Sequence, residues 1–294
     1  MNVLTAYFNT QLVNAGFPDN FEINWSLGYC QGDGMAFYGD IEHTYWLGLF
    51  QRIYPNQKRK YRKFERLLKS LIEWQSYWDS LITISRNHFG YRYSHFNTMD
   101  LQAPRATDFC FFNDECAKKD WYFSSEKVGE YQTLWDEFVS DLAEYIRDLS
   151  KQLEQEGYRI IEATPYQTEV AYQFETQHYR IEFVTAPHEF YANHFETYMY
   201  DCDFEDVESL CKAALNGTRI ANVYAQVLDK TTGIALGEDY FGYLVYDNDD
   251  KTFGGYRHIL IREAIKAARS KDGLISRQAQ LMQKNLPHIH LTAN

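Results

Sequence analysis

Residues 21–41 read FEINWSLGYCQGDGMAFYGDI, and this stretch carries the clearest signal for the fold. Apolar and polar residues alternate on both sides of a glycine cluster, as expected for two strands that each bury one face. The Asp-Gly step within Gln31–Gly34 is a strong signal for a tight turn between antiparallel strands. The sequence therefore predicts a hairpin here, with a return strand that ends near Ile41.

Two amphipathic helices are predicted downstream of this hairpin. Apolar residues recur at spacings of three and four across residues 64–82, which is the period of a helix with one buried face. The same period runs across residues 126–156, where Gly157 is expected to end the helix as a C-cap. A short capped helix is expected at 164–167, because threonine, proline and glutamine stand there at the N-cap, N1 and N3 positions.

The remaining segments add strands and two further helices. Residues 83–104 show the alternation of a second hairpin, and 179–184 that of a strand. A soft domain boundary is expected at 185–200. Beyond it we expect a helix at 203–216 that is stopped by a glycine, then strands at 219–228 and 238–247 joined by a turn. A last helix is expected at 256–269.

These patterns together predict an α+β fold, in which β-hairpins pack on long amphipathic helices in two lobes. The predicted domains are an N-terminal α+β domain at residues 1–185 and a C-terminal α-β-β-α domain at residues 195–294.

Charge and composition restrict the function classes. The chain has 41 acidic and 29 basic residues, a net charge of -12, so it repels phosphate backbones on average and direct nucleic-acid binding is not favoured. Such a chain suits a basic protein partner or is acidic simply for solubility. Aromatic residues make up 17% of the chain, which predicts that some serve the core and some an interface.

The N-terminal residues lack a signal peptide pattern, and no window is apolar enough to span a membrane. The five cysteines include no C-x-x-C pair, which indicates reduced thiols. We therefore expect a cytoplasmic protein that makes no membrane contact.

An acidic, aromatic run is the leading candidate for partner binding. It contains six carboxylates without an intervening lysine or arginine, and three aromatic side chains that could anchor it in a basic groove. A helix start rich in acids is also expected from the helix dipole alone. The candidate partner-binding residues are Glu196, Tyr198, Tyr200, Asp201, Asp203, Phe204, Glu205, Asp206 and Glu208.

A basic run is the candidate anion-binding site. Positive charge at a helix start opposes the helix dipole, and such a locally unfavourable choice can be functional. The alternative is a solvated helix start. The residues are Lys58, Arg59, Lys60, Arg62 and Lys63.

The glycine hairpin is the candidate catalytic site of an alternative, enzymatic interpretation. Asp33 would act with His43 or His95 in acid–base chemistry. No lysine followed by serine or threonine comes after the glycines, so the hairpin is not a P-loop. The histidine and cysteine spacings match no common metal site, so no metal and no cofactor are predicted.

Several short motifs are shared with proteins of mobile elements. They are the Cys-Gln-Gly-Asp-Gly-x-x-Phe segment within Trp25–Phe37, an R-Y-x-H-x-x-T-M element at Arg92–Met99, and the helix Tyr145–Gln155 followed by Phe174. In these motifs the chain resembles a group of largely uncharacterised phage, prophage and plasmid accessory proteins.

The C-terminal stretch Leu236–Gly242 resembles a plasmid and phage module that pairs an L-G-x-D-x-L-G turn with an Ala-rich helix, although Phe241 stands where the module has leucine. The resemblance implies an accessory factor and brings no catalytic residue.

From these observations we expect a mobile-element-encoded binding protein that inhibits a host defence nuclease complex, of the anti-CRISPR or anti-restriction type, in the host bacterial cytoplasm. The alternative is a hydrolase-like enzyme built on the Gly-Asp-Gly hairpin. A third interpretation is a nucleic-acid binder that uses Lys58–Lys63. The oligomeric state is left open.

Overall fold

The computed structural model describes residues 3–29, 32–73, 82–86, 99–105, 125–187 and 204–285. Over these residues the chain is an α+β protein with two antiparallel four-stranded sheets, which confirms the predicted fold class. Contacts divide the chain into two compact units, and the main boundary lies between Tyr158 and Arg159.

The first unit contains a sheet of order β1-β2-β3-β4 together with four helices. Two of these helices, at the N-terminus and directly after the second strand, were not predicted. The elements are α1 (Val3–Asn14), β1 (Glu22–Ser26), β2 (Gly34–Ile41), α2 (His43–Ile53), α3 (Lys58–Glu73), β3 (Ile82–Arg86), β4 (Met99–Gln102) and α4 (Ser125–Ile161).

Strands β1 and β2 pair in antiparallel register, with Glu22 opposite Tyr38 and Ser26 opposite Gly34. The predicted turn therefore lies between them, although its residues 30 and 31 are outside the described part. β2 continues past β1 and pairs with β3 through Gly39–Ile41, because Ile82 and Ile84 of β3 bury their branched side chains on this sheet.

An aromatic core holds helices α2, α3 and α4 together. The rings of Phe50 and Phe64 stack with their centroids 4.1 Å apart, and Phe138 lies 4.7 Å from Phe64. Trp135 is fully buried beside them, and its indole N–H donates to the carbonyl of Pro104 at 2.8 Å. Much of the aromatic excess of the sequence is therefore used in this core.

Two predictions in this unit are wrong. The helical stripe was expected to extend to Ile82, but α3 ends at Glu73 and Ile82 begins β3. Gly157 was expected to end the long helix, but α4 continues to Ile161. A Cβ atom on Gly157 would lie 2.5 Å from Leu27 Cδ1 and 2.9 Å from Phe8 Cζ, so glycine serves close packing there.

The second unit contains a sheet of order β5-β6-β7-β8 and a helix on one face of that sheet. The predicted helix before Gly217, the strand pair and the start of the last helix are confirmed. The elements are β5 (Glu169–Glu175), β6 (Tyr179–Ala186), α5 (Phe204–Leu215), β7 (Thr218–Asp229), β8 (Ala235–Asp247) and α6 (Tyr256–Asn285).

Small residues let α6 lie close to the sheet. Ala264 and Ala268 are buried against the inner face, and Gly237 of β8 lies directly beneath them. A Cβ atom on Gly237 would be 2.3 Å from both the carbonyl oxygen of Ala264 and the backbone nitrogen of Ala268. The helix and the strand therefore meet at a backbone contact that glycine alone permits.

Three expectations for this unit differ from the structure. The boundary expected between 185 and 195 falls between β6 and β7, which are neighbours in one sheet. Residues 164–167 form no helix, and the carbonyl oxygen of Ala163 just before them accepts a hydrogen bond from the backbone N–H of Ile220 in β7. The stretch Leu236–Gly242, a turn in the module it resembles, lies within β8.

No helix in the described part of the chain is long and apolar enough to cross a membrane.

Candidate functional site: the outer face of the second sheet

The face of the second sheet opposite α6 carries polar and aromatic side chains in rows. The inner face is set by Ala221, Val223, Ala225 and Val227 of β7, so the residues between them point to the other side. Register places Gln226 beside Glu238 and Glu182, and Tyr224 beside Tyr240 and Val184. We call the set Glu182, Tyr224, Glu238 and Tyr240 the tyrosine–glutamate face.

Glu182 is the fixed centre of this face. Its residue is only 6% exposed, and its two carboxylate oxygens are each taken by a neighbour. Arg180 Nε lies 2.7 Å from Oε1, and the side-chain amide of Gln226 donates to Oε2 at 2.7 Å. A buried carboxylate with a cation and an amide donor is satisfied, and its position is well defined.

The two tyrosines differ in exposure. Tyr240 is 60% exposed, whereas Tyr224 is partly buried between acidic neighbours. Burial, together with the charges of Glu182 and Glu238, raises the pKa of Tyr224 above its usual value. The Tyr224 phenol therefore stays protonated at neutral pH. The ring and hydroxyl of Tyr240 are accessible at the surface.

The strand that carries Glu238 and Tyr240 has a negative charge excess. Residues 234–250 contain five carboxylates and no lysine or arginine. In the described part of the chain, Glu238, Asp239 and Asp247 form no ion pair. A cationic segment would therefore meet carboxylates here that no cation of the described residues neutralises.

The structure describes only part of the predicted acidic run. Glu196, Tyr198, Tyr200, Asp201 and Asp203 lie outside the described residues. Phe204, Glu205 and Asp206 form the start of helix α5. Glu208 lies one turn further, where its carboxylate pairs with Lys212 Nζ at 2.7 Å across one helical turn.

The predicted anion-binding run forms the first turns of α3, as expected. Two of its five cations are occupied by carboxylates of α4. Lys60 Nζ lies 2.8 Å from Glu137 and 3.7 Å above the ring of Tyr54, and Lys63 Nζ lies 2.9 Å from Glu130. The other three, Lys58, Arg59 and Arg62, are exposed.

Asp33, the candidate base of the enzymatic interpretation, is held at the end of the first hairpin. Its carboxylate accepts hydrogen bonds from the hydroxyls of Ser26, at 3.1 Å, and Tyr158. Burial and the bond to Asp33 hold the pKa of Tyr158 well above its usual range. Burial and the charge of Asp33 also raise the pKa of Glu154, so a second carboxyl group lies near the first.

Tyr29 adds a strained residue to this site. Its φ of 58° lies in the left-handed region, and its exposed ring packs on Tyr158 with a centroid distance of 4.7 Å. Non-glycine residues in this region are uncommon and occur at functional sites more often than elsewhere.

The histidines proposed to act with Asp33 are not brought to it by the described structure. His43 is the first residue of α2, and the eight residues of β2 separate it from Asp33. An extended strand of that length spans roughly 23 Å, too far for two side chains to share a proton. His95 lies outside the described residues.

A small cavity in the second unit is lined by two arginines. Its volume is about 190 Å³, and it lies where α4 and α5 end. Arg159 donates to the carbonyl of Leu215, and Arg219 donates to the carbonyl of Glu162 and, at 2.9 Å, to the side chain of Asn248. The guanidinium groups thus satisfy carbonyls at helix C-termini, which accounts for their position without a ligand.

No three metal-ligating side chains come together among the described residues. Cys211 is a free, buried thiol, and burial followed by the charge of Glu208 raises its pKa to about 12. Such a thiol is a packing residue and not a nucleophile.

Comparison of the chain with known protein families, with curated proteins and with solved structures finds no match. The site must therefore be judged from its own residues.

The tyrosine–glutamate face was missed at the sequence level, although a signal for it was present. In residues 219–228 the alternation places alanine and valine on one side, and Tyr224 and Gln226 on the other. No site was predicted on the polar side of this strand, because register across four strands cannot be derived from one strand's alternation.

Proposed function

We propose that this chain is a binding protein without catalytic activity, and that it docks on a basic surface of a protein partner through acidic and tyrosine-rich surfaces. The observation that carries the proposal is the tyrosine–glutamate face. There the exposed Tyr240, and Glu238, which no cation of the described residues pairs, stand on a sheet beside the buried, hydrogen-bonded Glu182.

Tyrosine suits such a face because its ring buries apolar area with little loss of rotamer freedom while its hydroxyl stays bonded. Carboxylates select the partner by charge and speed its approach. The net charge of -12 acts in the same direction over the whole surface.

The partner we propose is a host defence nuclease complex, met in the cytoplasm of a bacterial cell that harbours the mobile element. Such complexes hold nucleic acid in basic channels, and an acidic, aromatic protein competes for the same cations. The acidic run at 196–208 would supply further carboxylates and aromatic rings for this contact. The resemblance to accessory proteins of phages and plasmids supports this choice of partner.

The test is inhibition of DNA cleavage by purified restriction and CRISPR nuclease complexes, with the chain added before the DNA. We expect inhibition by the natural chain. Reversal of Asp201, Asp203 and Glu205 to lysine should abolish inhibition while the thermal unfolding midpoint is unchanged. Unchanged inhibition by this variant would mean that the acidic run takes no part in binding. If the natural chain inhibits none of the complexes, the proposed partner is wrong.

A second candidate function is an enzyme built on Asp33. It is favoured by the hydrogen bond from Tyr158, the nearby carboxyl of Glu154 and the strained Tyr29. In this case Asp33→Asn should abolish a hydrolytic activity while stability is kept, since the amide oxygen can accept from one of the two hydroxyls, of Ser26 and Tyr158, and the amide N–H can donate to the other. A screen of ester, phosphoester and glycoside substrates with both proteins decides between the two functions.

A further inference from the structure

Strand β8 is an open edge of the second sheet. It pairs with β7 on one side, and no strand of the described residues pairs with the other. Its residues Gly237–Phe241 run in unbroken antiparallel register against Val223–Val227. An edge of this kind presents a row of backbone donors and acceptors to any strand that approaches.

The opposite edge, β5, offers a slightly shorter regular stretch. Its register is unbroken from Tyr172 to Glu175, while β8 is unbroken over Gly237–Phe241 and shifts register on either side of that stretch. The carboxylate of Glu175 is occupied by Lys230 at 2.7 Å, and the guanidinium of Arg257 lies 4.7 Å from the ring of Tyr172. The two edges of one sheet therefore differ chiefly in charge, since cations lie beside β5.

The charge of β8 selects the class of segment that would fit. Glu238 belongs to the tyrosine–glutamate face and Asp239 points to the side of α6, because neighbouring residues of a strand alternate. Both carboxylates lack ion pairs among the described residues, and no basic residue occurs between Ile234 and Asp250. A basic segment would therefore be attracted from both faces of the sheet.

We propose that β8 accepts an extended, lysine- or arginine-rich segment of a protein partner as a fifth strand of this sheet. The inference rests on the proposed function, because it assigns the contact by which a basic partner is held. Backbone hydrogen bonds to Gly237–Phe241 would fix the segment, about 4.8 Å from β8. Alternate basic side chains would lie beside Glu238, and the apolar ones beside the exposed ring of Tyr240.

The test uses a defined probe, a capped seven-residue peptide of alternating lysine and valine, and the full ¹⁵N-labelled chain. Hydrogen exchange followed by NMR should show that outward amides within Gly237–Phe241 exchange at least tenfold more slowly when the peptide is bound. The amides of β5 should not change. The matched control is the same peptide with alternate backbone nitrogens methylated, which keeps every charge and loses half of the donors.

Three results would overturn the inference: no protection of Gly237–Phe241, protection of β5 to the same degree, or equal protection by the methylated peptide. The last would mean attraction by charge without strand pairing. Failure here is distinguishable from failure of the proposed function. If the chain inhibits the nuclease while the β8 amides stay unprotected in the complex, the proposed function holds. In that case β8 is not the contact that binds the partner.

Discussion

The two units of the chain use aromatic residues differently. In the first unit the rings of Phe50, Phe64, Trp135 and Phe138 are buried and stack between helices. In the second, alanine, valine and glycine set the contact between α6 and the sheet, Phe183 packs on Phe253 beside them, and Tyr240 faces solvent. Aromatic rings thus build the helical core of the first unit, whereas in the second they are divided between the core and the surface.

The two units also differ in how their charges are arranged. The cations of α3 are partly neutralised by Glu130 and Glu137 of α4 within the first unit. The carboxylates Glu238 and Asp239 of β8 have no such partner among the described residues. Charges thus meet opposite charges within the first unit, whereas those of β8 do not among the described residues.

Truncation of the aromatic core should have the largest effect. Phe64→Ala removes a fully buried ring that stacks on Phe50 and should lower the free energy of unfolding by about 4 kcal/mol. Val223→Ala, in the core of the second unit, should lower it by about 2 kcal/mol, since only two methyl carbons are lost. Urea denaturation followed by circular dichroism measures both; equal losses would contradict the proposed difference between the cores.

Enlarging Gly237 should disturb the second unit. Gly237→Ala places a methyl group 2.3 Å from backbone atoms of Ala264 and Ala268, and backbone cannot swing away, so we expect a loss of about 3 kcal/mol. The control is Gly48→Ala in α2, where a Cβ atom meets nothing within 4 Å. A Gly237→Ala protein as stable as the natural chain would show that α6 does not lie this close to β8.

Two glycines of the same helix α4 provide a matched pair. Gly157→Ala should destabilise by about 2 kcal/mol, because its methyl group would meet the buried side chains of Leu27 and Phe8. Gly129→Ala meets no atom within 4 Å and should stabilise by about 1 kcal/mol through helix propensity. Denaturation midpoints that shift in the same direction for both would refute close packing at Gly157.

The smallest effect concerns the electrostatics of the tyrosine–glutamate face. The charge of Glu238 contributes to the raised pKa of Tyr224, since a neighbouring carboxylate disfavours the phenolate. Glu238→Gln should therefore lower that pKa and extend phenolate formation to lower pH. Carbon-13 NMR of ring-labelled tyrosine measures it. If the Tyr224 resonance titrates at the same pH in both proteins, Glu238 does not lie close to the ring.

Local patterns sufficed for much of the fold. The alternation in 219–228 and 238–247, with Asp229 accepting from the backbone of Thr231 and Thr232 in the turn between them, appears in the structure as predicted. The long helix α4 was also predicted, because its apolar period continues for many turns.

What local patterns could not supply was tertiary context. Gly157 carries the sequence signature of a helix end, but packing against Phe8 explains it. α1 was missed because apolar residues surround much of it, with Val3, Leu4, Tyr7 and Phe8 all buried, so its sequence has little amphipathic period. The tyrosine–glutamate face is assembled by pairing of three strands, a register that no single segment specifies.

We propose that a local face, and not the overall negative charge, binds a basic partner. Isothermal titration of the alternating lysine–valine peptide should compare Glu238→Lys with Glu144→Lys, an exposed position of α4 in the first unit. Both substitutions change the net charge by the same amount. We predict an affinity loss of about tenfold or more for Glu238→Lys and of less than twofold for Glu144→Lys. Equal losses for the two proteins would contradict the claim, because net charge alone would then account for binding.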